Sequence, residues 1–338
     1  MSIRRVAPAA AALLTLLAQP AAGQRPLGYL HGEGPKAWPV VQLTLGLLAI
    51  ACVVVIVTSA LVVVGIWRRR VTDITDIRSV PPTRAGGGLR WIAIGLGISG
   101  VALLGSLIWT VVVLAAVNGP SRPTRLTIEV TGQQWWWKAR YLDDDPSQQF
   151  ITAGEIHIPV GEPVRVRLIG GDVIHSFWVP ALAGKMETIP GQINETWIEA
   201  GQPGIYRGQC SEYCGVQHAH MGFLVVADPA EKFAAWRAAQ LRPAQVAVPQ
   251  QTGATLFVYH CGACHTVRGT GAGGTVAPDL THLMSRGILA GDVVANTIGN
   301  LAGWIANPQG VKPGTRMPAQ DLSGPELQRV VGFLQTLK

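Results

Sequence analysis

Two long stretches without a charged side chain set the strongest limit on the architecture of this chain. The first covers residues 40–67, which is 28 positions, and the second covers residues 91–117. About 20 apolar residues in a helix cross the hydrocarbon core of a bilayer, so each stretch can span it with some tilt. The segment between them, 68–90, carries six arginines, an excess that is typical of cytoplasmic loops. The pattern predicts a two-helix transmembrane hairpin over residues 38–117, with both flanking segments outside the cytoplasm.

The N-terminal segment has the layout of a secretory signal. Arg4 and Arg5 precede a short apolar core over residues 7–18, and the small residues 21–23 follow. This core is too short to span a bilayer. The sequence therefore predicts a signal peptide over residues 1–23, with a retained N-terminal helix as the alternative.

The net charge of +7 does not indicate nucleic-acid binding, because of where the charges lie. Residues 1–90 hold ten Lys and Arg against three Asp and Glu, whereas residues 91–338 hold seventeen of each. The excess belongs to the predicted signal and membrane loop. A basic groove of the kind that binds nucleic acid is therefore not expected.

The chain beyond the hairpin divides into regions of different pattern. Residues 118–227 contain short alternating segments separated by turns rich in glycine and proline, as in a β-sandwich or Greek-key barrel. Residues 228–251 are rich in Ala, Gln and Pro and are predicted to be a linker that begins with a short helix. Residues 252–338 are predicted to be mostly helical, ending in a helix that opens with the capping-box pair Ser323 and Glu326. The predicted strands are 126–130, 155–158, 164–168, 173–179 and 195–198.

A cluster of soft metal ligands lies near the end of the β region. Cys210, Cys214, His218 and Met221 fall within twelve residues. Thiolate and thioether together favour copper, with imidazole as a compatible ligand, whereas a structural zinc site takes Cys and His without methionine. A mononuclear blue-copper site uses one thiolate. Two thiolates can instead bridge two copper ions, and each ion then needs an imidazole.

The second imidazole must come from elsewhere in the chain. His175 lies between strand-like residues of the same domain and is the preferred candidate, while His157 and His220 compete for the role. His31 precedes the membrane hairpin and is set aside. A histidine on a strand is more often a hydrogen-bonded core residue than a ligand, so the preference for His175 depends on the need for a second imidazole.

A second constellation lies in the C-terminal region. Cys261, Cys264 and His265 form the Cys-x-x-Cys-His signature of covalent haem c attachment. A thioredoxin-like redox pair would not need the adjacent histidine, and a zinc site would need a further ligand pair. The sixth iron ligand should be Met or His. Met317 lies in a turn-rich segment before the last helix and is preferred, whereas Met284 lies in an apolar run that fits a core position.

These motifs and their surroundings resemble a known family. Residues 118–227 resemble the copper-A domain of cytochrome c oxidase subunit II, and the preceding hairpin has that subunit's layout. Residues 252–338 resemble the class I cytochrome c module fused to the end of some of these subunits. The resemblance implies a cupredoxin-like Greek-key β-barrel followed by an all-α cytochrome domain. It is carried by Gly132–Trp137, Asp172–Pro180, Gly184–Gly191, Gly204–Gln209 and Cys210–Met221.

The resemblance also implies roles for individual residues. Cys210 and Cys214 would bridge the two ions of a copper-A centre, with His175 and His218 each binding one ion. The weak ligands would be Met221 and the backbone carbonyl of Glu212. The Glu212 side chain would then face a magnesium site shared with the catalytic subunit. Trp135 matches the aromatic residue through which the family accepts electrons, whereas Trp136 and Trp137 are predicted to serve in packing.

The function implied is that of subunit II of a haem-copper cytochrome c oxidase in the bacterial inner membrane. Electrons would pass from a soluble or membrane-bound cytochrome c to one haem c, then to copper A, then to catalytic subunit I, where oxygen reduction and proton pumping occur. Other oxidase subunits are expected partners. Gly88 stands where the family often has a glutamate, which puts proton uptake through this subunit in doubt.

Two alternative functions are a copper-A subunit of a nitric oxide reductase-type complex and a membrane-tethered electron carrier. Residues 122–227 carry eight basic and eleven acidic side chains, and residues 252–338 carry six and four. These opposite net charges predict electrostatic docking of the two extramembrane domains.

Overall fold

The computed structural model describes residues 24–25, 27–68 and 88–338. The predicted signal peptide, 1–23, and residues 69–87 of the predicted cytoplasmic loop lie outside the described residues.

Two long apolar helices precede the β domain. Helix α1 covers Ala37–Arg68 and α2 covers Gly88–Asn118, slightly more than the predicted 40–67 and 91–117. Both are long and apolar enough to cross a membrane, and almost none of their apolar side chains is buried within the protein. The helices touch where the Trp109 ring lies over Gly46, a position at which a Cβ would collide with the ring.

The two apolar helices are tied to the β domain at the start of α1 and the end of α2. Lys36, immediately before α1, donates hydrogen bonds to the hydroxyl of Thr196 and the carbonyl of Trp197. The indole N–H of Trp197 donates in turn to the carbonyl of Val117 in the last turn of α2. Both helix ends are therefore fixed to the same strand of the β domain.

The β domain consists of two sheets that face each other, as the alternating pattern predicts. One has the strand order β4-β3-β2-β6-β9 and the other the order β5-β11-β10-β7-β8, with β1 beside β10. The strands are β1 Gln24–Arg25, β2 Leu126–Gln133, β3 Trp136–Leu142, β4 Phe150–Ala153, β5 Glu155–Pro159, β6 Val164–Gly170, β7 His175–Trp178, β8 Met186–Thr188, β9 Ile193–Ile198, β10 Gly204–Cys210 and β11 Gly222–Asp228.

Aromatic side chains fill the space between the two sheets. Trp137 is fully buried at the centre, with its ring edge-on to Phe177 and tilted against Phe223. Such pairs add to the hydrophobic burial of each ring. Trp137 therefore belongs to the core, and its indole also borders His175.

A short helix leads from the β domain to the C-terminal domain. Helix α3, Ala230–Gln240, packs Trp236 against His157 and Tyr141 of the sandwich. The C-terminal domain contains α4 Gln251–Cys261, α5 Ile298–Ala306, α6 Pro308–Val311 and α7 Gly324–Leu334, together with a two-stranded ribbon of β12 Ile288–Leu289 and β13 Val294–Ala295.

The C-terminal core forms where α7 packs on α4. The predicted capping box is present at the start of α7, where the Glu326 carboxylate accepts the backbone N–H of Ser323. The apolar stripe that follows is buried through Val330, Val331 and Leu334. This core places Cys261, the last residue of α4, beside the cavity described below.

Candidate metal and haem sites

The first site lies where β10 and β11 are joined. Cys210 ends β10, Cys214 lies in the connecting loop, His218 begins a short 3₁₀ turn and Met221 immediately precedes β11. The Cys210 amide donates to the Met221 carbonyl at 3.1 Å. Because β10 and β11 are paired antiparallel neighbours, the loop must return to its starting point and bring its soft ligands together.

The sulfur and nitrogen atoms of this loop converge on one point. The Sγ atoms of Cys210 and Cys214 are 3.8 Å apart. Cys214 Sγ also lies 3.6 Å from His218 Nδ1 and 3.8 Å from Met221 Sδ. The carbonyl oxygen of Glu212 lies 3.2 Å from Cys210 Sγ, while its side chain is exposed and 3.6 Å from Lys185.

His175 reaches the same point from β7. Its strand pairs with β10 so that Phe177 is opposite Cys210. Ligand atoms of His175, Cys210 and Cys214 all lie within 4.8 Å of one another. His175 is fully buried, its Nε2 is 2.8 Å from the Asp172 carboxylate, and its Nδ1 has no hydrogen-bond partner. A buried nitrogen left unpaired among two thiols and an imidazole fits a soft metal centre.

The two competing histidines are held elsewhere. His157 lies 2.7 Å from the Asp228 carboxylate and stacks on Trp236. His220 Nδ1 lies 2.6 Å from the Gln217 amide oxygen. Neither belongs to the group of His175, Cys210 and Cys214. The geometry therefore favours His175 as the second imidazole.

The two thiols affect each other's ionisation strongly. The hydrogen bond from Cys214 lowers the pKa of Cys210 to about 3, with His175 adding to the effect. The same interaction and burial raise the pKa of Cys214. The protein alone thus stabilises one thiolate, and a cationic centre is needed to stabilise two so close together.

Trp135 lies between this site and the C-terminal domain. Its side chain is only 8% exposed, and its indole N–H donates to the Cys214 carbonyl at 3.1 Å. The side-chain amide of Gln134 donates to the same carbonyl. Trp135 therefore contacts the thiol loop directly.

The second site is a cavity of about 590 Å³ in the C-terminal domain. Its lining includes Cys261, Cys264, His265 and Met317, with an otherwise mainly apolar wall. Two cysteines one turn apart at the end of α4 suit thioether attachment to a planar macrocycle. The donor set and the apolar cavity together fit a haem of the c type.

The two candidate axial ligands both line this cavity. His265 Nδ1 lies 2.8 Å from the Pro278 carbonyl, which orients the ring and leaves Nε2 available. Burial lowers the pKa of His265, so the neutral imidazole that binds iron is favoured. Met317 lines the cavity. Met284 packs against the hydrophobic core and does not line the cavity.

The haem-sized cavity is not enclosed by its own domain alone. Residues 133–136 of the β domain, including Trp135 and Trp136, form part of its wall. Lys312 and Asp172 also lie at this meeting of the domains, although neither is singled out as functional by the sequence. Asp172 carries a weak local signal, since it precedes His175 by three residues. The partners of Lys312 are distant in sequence, so no local pattern identifies them.

Comparison with known proteins identifies the two domains in which these sites lie. Residues 142–228 match the family described as "Cytochrome C oxidase subunit II, periplasmic domain", and residues 250–338 match "Cytochrome c". Cytochrome c oxidase subunit 2 of Alkalihalophilus pseudofirmus is 32% identical over 333 residues, 96% of this chain and 95% of that protein. The subunit of the same name from Bacillus sp. is 31% identical over 238 residues, 66% of this chain and 65% of that protein.

Among solved structures, the periplasmic domain of subunit II of cytochrome oxidase from Bradyrhizobium japonicum is 34% identical, with a TM-score of 0.34. It covers 36% of this chain, and 96% of that domain is matched. The predicted fold class is confirmed: two apolar helices, a cupredoxin-like β-sandwich and a helical cytochrome c domain. The matched domains imply copper A in the first and haem in the second.

Proposed function

Because the chain belongs to the cytochrome c oxidase subunit 2 family, we propose that it receives electrons at its own haem c and delivers them through copper A to a catalytic subunit. The observation that carries this order is the position of Trp135. Its side chain lines the haem cavity, and its indole donates to the carbonyl of Cys214. One side chain thus borders both candidate centres.

The copper centre is assigned to the donors that converge beside Trp135. Cys210 and Cys214 would hold a pair of copper ions through their thiolates, His175 and His218 would supply one imidazole each, and Met221 would be a weak ligand. The Glu212 carbonyl is the second weak ligand. When bound, the pair of ions shares one electron over two metals, so that each bond length changes little on transfer. The sheet contributes rigidity, because β7 and β10 hold His175 and Cys210 in adjacent strands.

The haem is assigned to the C-terminal cavity. Cys261 and Cys264 form its thioether bonds, and His265 and Met317 bind the iron. The Pro278 carbonyl holds the His265 ring in place. An axial methionine suits a raised potential, as required of a centre that accepts electrons from another cytochrome c.

The membrane anchor and the exposed face of the copper domain define the expected partners. We place α1 and α2 in the bacterial inner membrane with both metal domains on the periplasmic side, which agrees with the arginine-rich segment 68–90. The exposed Glu212 carboxylate is assigned to a magnesium site shared with subunit I. Oxygen reduction and proton pumping belong to that partner.

A copper-A subunit of a nitric oxide reductase-type complex would use the same donors. The catalytic subunit that copurifies with the chain separates these two functions. A chain that works as a tethered electron carrier would copurify with no catalytic subunit.

The test is to produce the full chain with haem c maturation and copper, in detergent, and to measure metal content and spectra. The expected result is two copper ions per haem iron, a seven-line mixed-valence EPR signal and a haem c optical spectrum. One copper per chain, or zinc in its place, would overturn the copper-A assignment. A variant with Cys52→Ser in α1 is the matched control, because Cys52 is distant from both sites and exposed on its helix.

A further inference from the structure

Lys312 is a buried lysine at the contact between the copper and haem domains. Its side chain is only 2% exposed. The Nζ atom donates to three backbone carbonyls: those of Trp135 at 2.6 Å, His220 at 2.7 Å and Ala290 at 2.7 Å. Two of these acceptors belong to the copper domain and the third to another loop of the haem domain. One side chain therefore joins three segments.

The chemistry of this contact is specific. An ammonium group has three N–H donors and no acceptor, and here each donor meets one carbonyl oxygen. Burial lowers the pKa of Lys312 to about 7, which reflects the cost of removing a charge from water. An apolar side chain would fill the same space without this cost but would leave three carbonyls, one buried and two partly buried, without this donor. The three hydrogen bonds of Lys312 can form together only when the segments that carry Trp135, His220 and Ala290 lie in this one relative position.

The loop that carries Ala290 is shaped to fit the same point. Ala290, Gly291 and Asp292 all have positive φ, at 55°, 74° and 68°. A Cβ at Gly291 would lie 2.8 Å from Lys312 Nζ and 2.9 Å from the Trp135 carbonyl oxygen. The loop can therefore approach this closely only with glycine at that position.

Further contacts fix the register of this loop on the copper domain. The Gly222 amide donates to the Gly291 carbonyl at 3.0 Å. Arg207 on β10 pairs with Asp292 at 2.7 Å, and the Glu155 carboxylate accepts the Gly287 amide. Lys312 is the buried centre of this set, and it contacts the backbone of the residue that borders both metal sites.

We propose that Lys312 is a positioning residue that locks the haem domain onto the copper domain and so sets the separation of the two centres across Trp135. The identity of those centres rests on the function proposed above, whereas the lock itself depends only on contacts within the polypeptide. While Lys312 keeps its three hydrogen bonds, the two domains stay docked and electron transfer proceeds from a fixed geometry. Without it, the haem domain must redock before each transfer.

The lock is tested first by amide hydrogen exchange on the full chain carrying haem but no copper. Lys312→Met should accelerate exchange of the Gly222 and Gly287 amides by about tenfold or more, since the carbonyls of Trp135, His220 and Ala290 lose their common donor. Gly291→Ala should do the same without changing the lysine. Lys232→Met is the matched control, because that lysine is 72% exposed and pairs with Asp228 away from the contact. Unchanged or slower exchange in Lys312→Met would overturn the proposal.

A second measurement separates positioning from a merely structural role. Haem-to-copper transfer after rapid reduction of the haem should be independent of solvent viscosity in the wild-type chain. In Lys312→Met the rate should fall by about tenfold, as expected if the docked form is populated only about a tenth of the time. The rate should also become viscosity-dependent, with the copper EPR signal unchanged. A slower rate accompanied by an altered copper signal would refute positioning, as would an unchanged rate.

Failure of the proposed function would give a different experimental result from failure of the Lys312 proposal. If the wild-type chain binds no copper pair, or shows no haem-to-copper transfer, the assignment of the two centres is wrong. The exchange experiment on the copper-free chain would still report whether Lys312 closes the contact.

Discussion

The copper site and the haem site of this chain are constructed in opposite ways. All donors assigned to copper come from one domain, on β7 and the loop between β10 and β11. The backbone hydrogen bonds of one sheet place them within a few ångströms of each other. The haem cavity also has its ligands in one domain, but part of its wall is formed by residues 133–136 of the other domain.

The two sites should therefore depend on domain docking to different extents. The copper donors should assemble whether or not the haem domain is docked, because no donor crosses the contact. The haem should attach covalently in its own domain, but its exclusion from water and its distance to copper depend on docking. Changes within each site should therefore remain local, whereas changes at the contact should alter communication between the sites.

The largest expected effect that tests this separation is loss of the copper centre alone. Cys214→Ser removes a bridging thiolate that lies 3.8 Å from Cys210 Sγ, and the two-copper centre should be lost completely. Haem attachment at Cys261 and Cys264 should be unaffected, because the sites share no ligand. Metal analysis and EPR of the full chain measure the first effect, and the haem c spectrum measures the second. Retention of two coppers, or loss of haem, would contradict the separation.

The matching change in the haem site is Met317→His. A histidine in place of methionine should lower the haem midpoint potential on the order of a few tenths of a volt, within the ~0.8 V range that axial ligands cover. The copper spectrum should not change. Met284→Leu is the control, since Met284 does not line the cavity, and the haem potential of this variant should remain at the wild-type value. Spectroelectrochemical titration measures the haem midpoint potential of each variant. A potential that changes in Met284→Leu but not in Met317→His would identify Met284 as the iron ligand.

A smaller effect is expected at the residue that supports His175. Asp172→Asn should weaken copper binding by about 10–100-fold, as is typical when a partner of a metal-binding histidine is removed. Burial by itself would raise the pKa of Asp172, but hydrogen bonds from the Gln134 amide, His175 and the Val173 amide lower it on balance. Its support is therefore present above its ordinary pKa and is lost only as pH falls through the lowered value.

Copper titration of the Asp172→Asn variant at pH 7 and pH 5.5 measures this prediction. Asp172 remains ionised at both pH values, but its hydrogen bond and charge help to raise the pKa of His175. Protons therefore compete with copper for His175 more strongly in the wild type, and the ratio of wild-type to variant affinity should fall from pH 7 to pH 5.5. The control is Asp144→Asn, which changes an exposed carboxylate distant from the ligands. A ratio close to one already at pH 7 would contradict the supporting role of Asp172.

Local spacing explains how much of the two sites could be predicted from sequence. Cys210 to Met221 and Cys261 to His265 are short segments, so the chain itself keeps their donors together. His175 could be favoured only because a second imidazole was needed, and the structure places it at the thiols through the pairing of β7 with β10. Of the strands that the structure describes in the β domain, six, β1, β3, β4, β8, β10 and β11, are not among those predicted from the sequence. In β3 the consecutive tryptophans at its start obscure the alternation.

The domain contact shows where sequence reasoning is insufficient. Net charge predicted docking of a negative copper domain with a positive haem domain. The pair Arg316–Asp172 has this polarity, whereas Arg207–Asp292 has the reverse. A sum of charges does not specify which side chains meet. Lys312 is predicted by neither charge nor spacing, because its acceptors are backbone carbonyls brought together only by the folded domains.

The smallest expected effect concerns these two ion pairs. Arg207 and Asp292 are 2.7 Å apart, and Asp292 is nearly buried. Arg316 and Asp172 are 3.4 Å apart, and the arginine is 69% exposed. Arg316→Gln should change docking by less than about 0.5 kcal/mol, as exposed pairs do. Arg207→Gln should cost roughly 1 kcal/mol or more, because it leaves a carboxylate buried without its partner.

The pH dependence of Arg207→Gln identifies the cause. Burial raises the pKa of Asp292, and Arg207 opposes that rise, so without the guanidinium the carboxyl takes up a proton more readily. The cost of the substitution should be full where Asp292 is ionised and should shrink as pH falls through its raised pKa. Amide exchange at Gly287 and Gly222, measured at pH 7 and pH 5 in low and high salt, follows this directly. A cost that stays constant with pH would place the defect in packing of the Arg207 side chain rather than in its charge.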